Sequence, residues 1–298
     1  MAFPVNTGGG VPSHSGTFIP QIWSTKLLTK FYTGTVWGEI ANTDYEGEIT
    51  AHGDEVKIRT RPDITVRDYV KGQNLNYENP TAPTVSLLID QGKYFAFNVY
   101  DVDKHQSDIG LMNEWSEDGS EQMKIAVDAD ILGAIFADAH AANAGANAGA
   151  ISGDINLGTS ASPLTLTKSN IVDQIVDYGV VLDEQNVPES ERAIILPAKA
   201  CARIKTSELK DASLTGDGKS TLRNGKIGMI DRFTIYSSNN MSYNSGKYDV
   251  IFCHKSALTF ASQITNMETL KNPNDFGDLV RSLFVYGWEV IKPESMGH

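Results

Sequence analysis

Two runs of strict alternation bracket a stretch that has no means of folding on itself. In DEVKIRTR (residues 54–61), Val56 and Ile58 fall on one face and Lys57, Arg59 and Arg61 on the other, the period-two pattern of a half-exposed strand. Val85, Leu87 and Ile89 repeat the alternation downstream. Between them lies PDITVRDYVKGQNLNYENPTAP (62–83), with three prolines and only scattered apolar residues. Connections of this length are uncommon in compact domains and are usually functional. A long two-stranded ribbon projecting from the body satisfies both runs, but a lone ribbon is barely stable in water. The ribbon is therefore expected to lie on a neighbour, with Arg59, Arg61, Arg67 and Lys71 suited to an acidic landing surface.

The charge distribution offers such a surface. The formal net charge is −12, which argues against general coating of nucleic acid, since phosphate repels an acidic protein. Residues 1–38 carry Lys26 and Lys30 and no acid, whereas residues 101–138, Glu117 and Asp118 among them, carry ten acids against Lys104 and Lys124. The first sixteen residues are rich in Gly, Ser and Pro and read as an extended arm. Trp23, Leu27 and Phe31 then recur at i, i+4 and i+8 behind Pro20, a short amphipathic helix on a tether. A tethered apolar stripe also needs a partner surface.

From Ser107 to Asn143 the period becomes helical, through Met112, Trp115, Gly119, Met123, Ala126, Ile131, Ala134 and Ile135, with WSEDGSEQ (115–122) expected to bend or break the helix. AHAANAGANAGA (139–150) reads as a hinge or loop. A second body follows. Ile171, Ile175, Tyr178 and Leu182 mark a helix with N-cap candidates at Thr167 to Asn170. RAIILP (192–197) is a short buried strand and AKACARIK a short helix, while residues 206–224 form a polar loop. FTIYSSNN and YDVIFCH are further strands, and the chain closes with two long strands around NPNDFGD. Helices and strands segregate, so the class is α+β.

Chemistry is weakly represented. Asp101, Asp103, His105 and Asp108 cluster within eight positions. A calcium loop would need Gly at 106 and Glu at 112, where Gln106 and Met112 stand. A zinc or iron site lacks a second His at useful spacing. The plainer reading is that Phe95, Phe97 and Val99 form a strand face, and that the acids mark its exit and the first turn of the next helix. GDGKST (216–221) has Ser213 in place of the first glycine of a phosphate loop and a polar segment before it. No G-x-S-x-G elbow is present. Cys253 and His254 are adjacent on a strand and point to opposite faces. Cys201 and Cys253 are expected to be reduced and buried, in a reducing cytosol. No cofactor and no enzymatic site is expected, and no run approaches the ~18 apolar residues of a membrane span.

The order FIPQIWSTKLLTKFY, GDEVKIRT, LLIDQGKYFAFNVYDVDKHQSD, NVPESERAIILPAKACARI, GKIGMIDRFTIYSSNN and VRSLFVYGWEVIKPESM resembles the major capsid proteins of tailed phages, with the Hong-Kong-97-type shell fold. The resemblance runs from Phe18 to Met296. It implies an N-terminal arm (1–47), an extended loop with its strand return (48–100), a peripheral domain with a long spine helix (101–164), an axial domain (165–257) and closing peripheral strands (258–298). It implies self-assembly through hexamers and pentamers into an icosahedral shell around double-stranded DNA, made in the host bacterial cytoplasm and ending in the virion. Implied partners are other copies of the chain, a portal protein, scaffolding and decoration proteins, and DNA held weakly. The interface candidates are Trp23, Leu27, Phe31, Arg59, Arg61, Arg67, Lys71, Asp101, Asp103, Glu117 and Asp118.

Three features depart from the family pattern. Arg232 stands where a glycine would precede Phe233, which puts the geometry of that turn in question. The arm begins almost at Met1, so scaffolding is expected from a separate protein or from a segment already removed. Lys71 lies near the loop tip, but no matching site for covalent cross-linking is identifiable. Two alternatives remain at this stage: an encapsulin-like compartment of the same fold, and a metal-dependent enzyme using Asp101, Asp103 and His105.

Overall fold

The computed structural model describes residues 32–45, 55–62, 64–102, 111–207 and 228–298. The first half contains α1 (Trp37–Ile40), β1 (Ala41–Asn42), β2 (Glu55–Arg59), β3 (Thr84–Leu88), β4 (Gln91–Tyr100) and α2 (Leu111–Leu132). The second contains α3 (Ile171–Glu184), β5 (Arg192–Leu196), α4 (Ala198–Thr206), β6 (Met229–Ile230), β7 (Phe233–Ser237), β8 (Tyr243–Asn244), β9 (Lys247–Tyr248) and β10 (Ile251–His254). The chain closes with β11 (Leu258–Lys271), β12 (Gly277–Val290) and β13 (Met296–Gly297).

Strands β11 and β12 pair antiparallel along nearly their whole length, with one irregularity between Ser262 and Ile264. β4 adds antiparallel to the free side of β12, and β1 adds parallel to β11. Helix α2 lies across this sheet. The expected break at WSEDGSEQ does not occur. Gly119 sits inside a continuous helix, and a side-chain carbon there would lie 3.0 Å from the Phe95 ring. The glycine serves close packing on β4, and the cost in helix propensity is offset by that contact. Trp115 meets Phe97 edge to face, with ring centroids 5.7 Å apart. At the other end the helix stops at Leu132, short of the expected Asn143, and continues as two single 3₁₀ turns, Ile135–Asp138 and Ala141–Asn143. Ala126, read as part of the apolar stripe, is exposed, and its neighbour Val127 is buried instead.

The second sheet has the order β13-β10-β5-β7-β6, with β5 and β7 parallel. Every residue of β5 is buried because the strand separates two cores. Ala193 and Ile195 face α1, the end of α2 and the β11–β12 base, while Ile194 and Leu196 face α3 and α4. Burial on both sides explains why RAIILP is a continuous apolar run and does not alternate. Ile171, Ile175, Tyr178 and Leu182 are buried as their spacing predicts. Cys201 and Cys253 are free thiols inside these cores. Cys253 and His254, expected on opposite faces of β10, are both buried, and the His254 ring contacts Ser256 Oγ at 2.8 Å.

Arg192 at the start of β5 has a fully buried side chain. It donates to the Val187 carbonyl at 2.7 Å, the Pro188 carbonyl at 2.9 Å and Asp183 Oδ1 at 2.6 Å. Asp183 also accepts from Arg232, at 2.8 Å. Asp231 and Arg232 form the two-residue turn between β6 and β7, with φ of 42° and 68°. Positive φ at both positions is the hairpin turn that glycine favours, and a residue with a side chain there costs about 1–2 kcal/mol. Arg232 offsets that strain with three acids, Asp183, Glu189 at 3.0 Å and its neighbour Asp231 at 3.7 Å. The departure from the glycine pattern therefore leaves a hairpin turn in place and adds an anchor to α3.

Burial alone would raise Asp183, but the hydrogen bonds and charges of Arg192 and Arg232 outweigh it and hold the carboxyl below the ordinary range. A depressed folded pKa contributes stability above the unfolded aspartate value, about 3.9, and that contribution is lost as pH falls through the lower folded value. Asp183→Asn is expected to lower the urea-unfolding free energy at neutral pH by about 2 kcal/mol. It should also flatten the fall in stability between about pH 5 and pH 2 relative to the parent. Parallel acid curves for the two proteins would contradict this assignment.

Candidate assembly surface

Among the described residues, the long loop is held at its root. β2 and β3 pair antiparallel from Glu55↔Leu88 to Arg59↔Thr84. Ile58 and Leu87 are buried with Ile89 and Ala261 in a small core of their own, so both alternating runs have the faces their spacing predicts. The root crosses the β11–β12 sheet at Gly287. A side-chain carbon at that position would collide with the carbonyl oxygen of Leu88. Backbone lies on backbone there, and only glycine permits it.

Beyond the root the ribbon ladder ends. Thr60 still donates twice to the Pro83 carbonyl, from its nitrogen at 3.0 Å and its hydroxyl at 2.8 Å. Past that point the described residues to Pro83 form no strand, which corrects the expectation of a long two-stranded ribbon. Pro62, Pro80 and Pro83 cannot donate to a ladder. The limbs are instead linked through Glu78, which accepts from the Thr65 nitrogen at 2.7 Å and lies 3.8 Å from Arg67. The tip is a four-residue turn closed by Gln73 N donating to the Val70 carbonyl at 3.1 Å, with Gly72 at φ +92° and Lys71 exposed beside it. Positive φ at the third turn position requires glycine.

The loop presents apolar side chains to solvent. Val66 is 95% and Tyr77 86% exposed, and Ile64, Tyr69, Val70 and Leu75 are all more than half exposed. Large exposed apolar patches are characteristic of interaction surfaces. Sequence reasoning selected the basic residues here and missed the apolar ones. The signal was present in the two-residue spacing of Ile64 with Val66 and of Leu75 with Tyr77. Arg59, Arg61 and Lys71 are exposed or nearly so, and none forms an ion pair among the described residues.

The acids of α2 divide into two groups. Asp128 and Asp130 turn inward. Asp128 accepts from the Val36 and Trp37 nitrogens, both at 2.9 Å, and from Asn240 at 2.7 Å, which fixes α1 against α2. Asp130 accepts from the Tyr286 hydroxyl at 2.6 Å and lies 3.5 Å from Lys93. Glu114 and Glu117 remain exposed, and Asp118 takes the Tyr32 hydroxyl at 2.9 Å. Asp101 is tied to the β11–β12 turn, 4.0 Å from Lys271, which itself pairs with Asp278 at 2.6 Å. Trp23, Leu27, Phe31, Asp103, His105, Asp108 and the GDGKST stretch lie outside the described residues. Among the described residues no group of three or more His, Cys, Asp or Glu is placed to hold a metal, and no helix is long and apolar enough to cross a membrane.

A family model described as phage capsid protein matches residues 84–296. The structure titled Mycobacterium phage Che8 superposes with a TM-score of 0.76 at 29% identity, over 94% of this chain and 96% of that one. The capsid of the cyanophage P-SCSP1u gives 0.72 at 12% identity over 94% and 91%, and the capsid of the Myoviridae phage XM1 gives 0.62 at 14% over 95% and 98%. The last two share the fold alone with this chain. No curated protein matches it in sequence.

The crossing at Gly287 gives a direct test of how the loop is held. Gly287→Val is expected to lower the unfolding free energy by about 1–3 kcal/mol and to speed protease cleavage within residues 60–83. Gly92→Ala on β4, where an added carbon meets open space, should change neither. Equal cleavage of the two variants would show that the root is not set by this contact.

Proposed function

The chain belongs to the phage capsid protein family and is a structural shell subunit, and on that premise we propose that it closes its shell by laying residues 60–83 across a neighbouring copy. The observation that carries this reading is the row of exposed apolar side chains on a segment with a core only at its root. Burying one such side chain on a partner is worth about 1.5–3 kcal/mol, and six of them supply a substantial driving force even after the entropy of association is met. Arg59, Arg61 and Lys71 then steer the loop toward the acidic surface of α2 that Glu114, Glu117 and Asp118 border, and the arm carrying Trp23, Leu27 and Phe31 adds a second strap. Asp101 and Asp103 would lie beside that contact.

In this reading residues 101–164 with 258–298 form the peripheral part, residues 165–257 the axial part around which copies gather, and residues 1–47 the arm. The shell is icosahedral and encloses double-stranded DNA. The net charge of −12 suits an inner wall that holds DNA loosely. A portal protein, and scaffolding or decoration proteins, would complete the particle, which forms in the host cytoplasm. The family match and the phage capsid neighbours favour this over a protein compartment or a metal-dependent enzyme.

Electron microscopy of the purified full chain, alone and with a scaffolding partner, should show closed shells. A chain that stays monomeric at high concentration under both conditions would refute the reading. Val66→Asp/Tyr77→Asp should leave the subunit's unfolding free energy within about 0.5 kcal/mol of the parent while shell yield collapses. Full assembly of that variant would remove the loop from the mechanism.

A further inference from the structure

Helices α3 and α4 are packed side by side on one face of the five-stranded sheet, and each carries charge of a single sign. α3 contains Asp173, Asp177, Asp183 and Glu184 and no cation, while α4 contains Lys199, Arg203 and Lys205 and no acid. Asp183 and Glu184 are already used, the first by Arg192 and Arg232 and the second by the nitrogens of Ile151 and Ser152. Asp173, Asp177, Lys199 and Arg203 form no ion pair among the described residues. The two aspartates stand one turn apart, an arrangement that destabilises a helix unless a cation lies between them. Burial, and then Asp173, push the Asp177 carboxyl upward. Beside them runs a valine stripe at i, i+4 and i+8, with Val172 half-buried, Val176 41% exposed and Val180 38% exposed.

We propose that the Val172/Val176/Val180 stripe with Asp173 and Asp177 on α3 is one half of a subunit contact, and that the Lys199/Arg203 face of α4 on a second copy of the chain is the other. The inference rests on the shell reading and adds to it the identity of an axial contact. Apolar contact at the valines supplies the attraction, and the paired charges set orientation and exclude wrong pairings. The two halves are different surfaces, so the contact is head to tail, and such a contact closes into a ring when its rotation divides the circle. Nucleic acid is the weaker occupant for the α4 face, because the acids of α3 beside it repel phosphate.

Reversal of charge tests the pairing. Asp173→Lys/Asp177→Lys and Lys199→Glu/Arg203→Glu should each lower shell yield about tenfold or more. The variant carrying all four changes should return to within about threefold of the parent. Yield is read by sedimentation and electron microscopy, and thermal unfolding of each dissociated subunit is the folding control. Reversals that assemble like the parent, or a fourfold variant that folds normally and fails to recover, would overturn the contact. A reversal that lowers the subunit's own melting temperature would assign the face to the chain's internal packing and overturn it equally. A parent chain that forms no shell defeats the shell reading itself, whereas parent shells indifferent to both reversals defeat only this contact.

Discussion

The β11–β12 ladder is the structure on which everything else is hung. It supplies one edge to β4 and the other to β1. Its far end, through Phe260, Tyr286 and Val290, enters the core shared with the five-stranded sheet. Gly287, between Tyr286 and Trp288, is where the loop root crosses. Each attachment uses a different property of the same two strands: the free hydrogen-bonding edges, the alternate side chains, and one position with no side chain. A long antiparallel pair can serve all three because its two faces are independently addressable by the period-two rule.

Much of this was legible because it depends on periods short enough to read directly. Val56, Ile58, Val85, Leu87 and Ile89 alternate and are half-buried or buried as expected; Ile171, Ile175, Tyr178 and Leu182 follow the helical repeat and line a core. The failures occur where a long-range contact decides the outcome. Gly119 looks like a helix breaker until Phe95 is known to lie against it. Asp128 and Asp130 look like solvent-facing charge until Val36, Trp37 and Tyr286 supply donors. In the loop, prolines were visible in the sequence, but how early they end the ladder depends on which nitrogens face the partner strand. The apolar residues of that loop went unselected because their exposure, rather than their identity, is what makes them informative.

Arg232 shows how a departure from a family pattern is absorbed. The turn it occupies needs positive φ twice in succession, and a side chain there is strained. The same side chain reaches Asp183, which already holds the buried Arg192, and a second acid at Glu189. A buried guanidinium with one carboxylate and several carbonyls is a demanding arrangement, since removing any partner leaves charge poorly solvated. Sharing Asp183 between the two arginines links the turn, helix α3 and strand β5 into one unit, so the irregular position stiffens the part of the molecule that carries the single-sign helices.

The described residues thus combine a body built on two cores with an extension that has a small core at its root. This asymmetry has a physical logic. A loop that folded on itself would have no reason to engage a neighbour, and a fully flexible one would lose backbone entropy of about 1–2 kcal/mol per residue on being ordered. Residues 60–83 avoid both extremes. Pro62, Pro80 and Pro83 stop the ladder and also restrict the backbone to extended forms. Gly72 fixes the tip turn and Glu78 links the limbs, while the crossing at Gly287 sets the angle of departure. The segment has a defined tip and linked limbs with its apolar side chains still uncovered, so that under the proposed assembly most of the gain from burying them would be available for association.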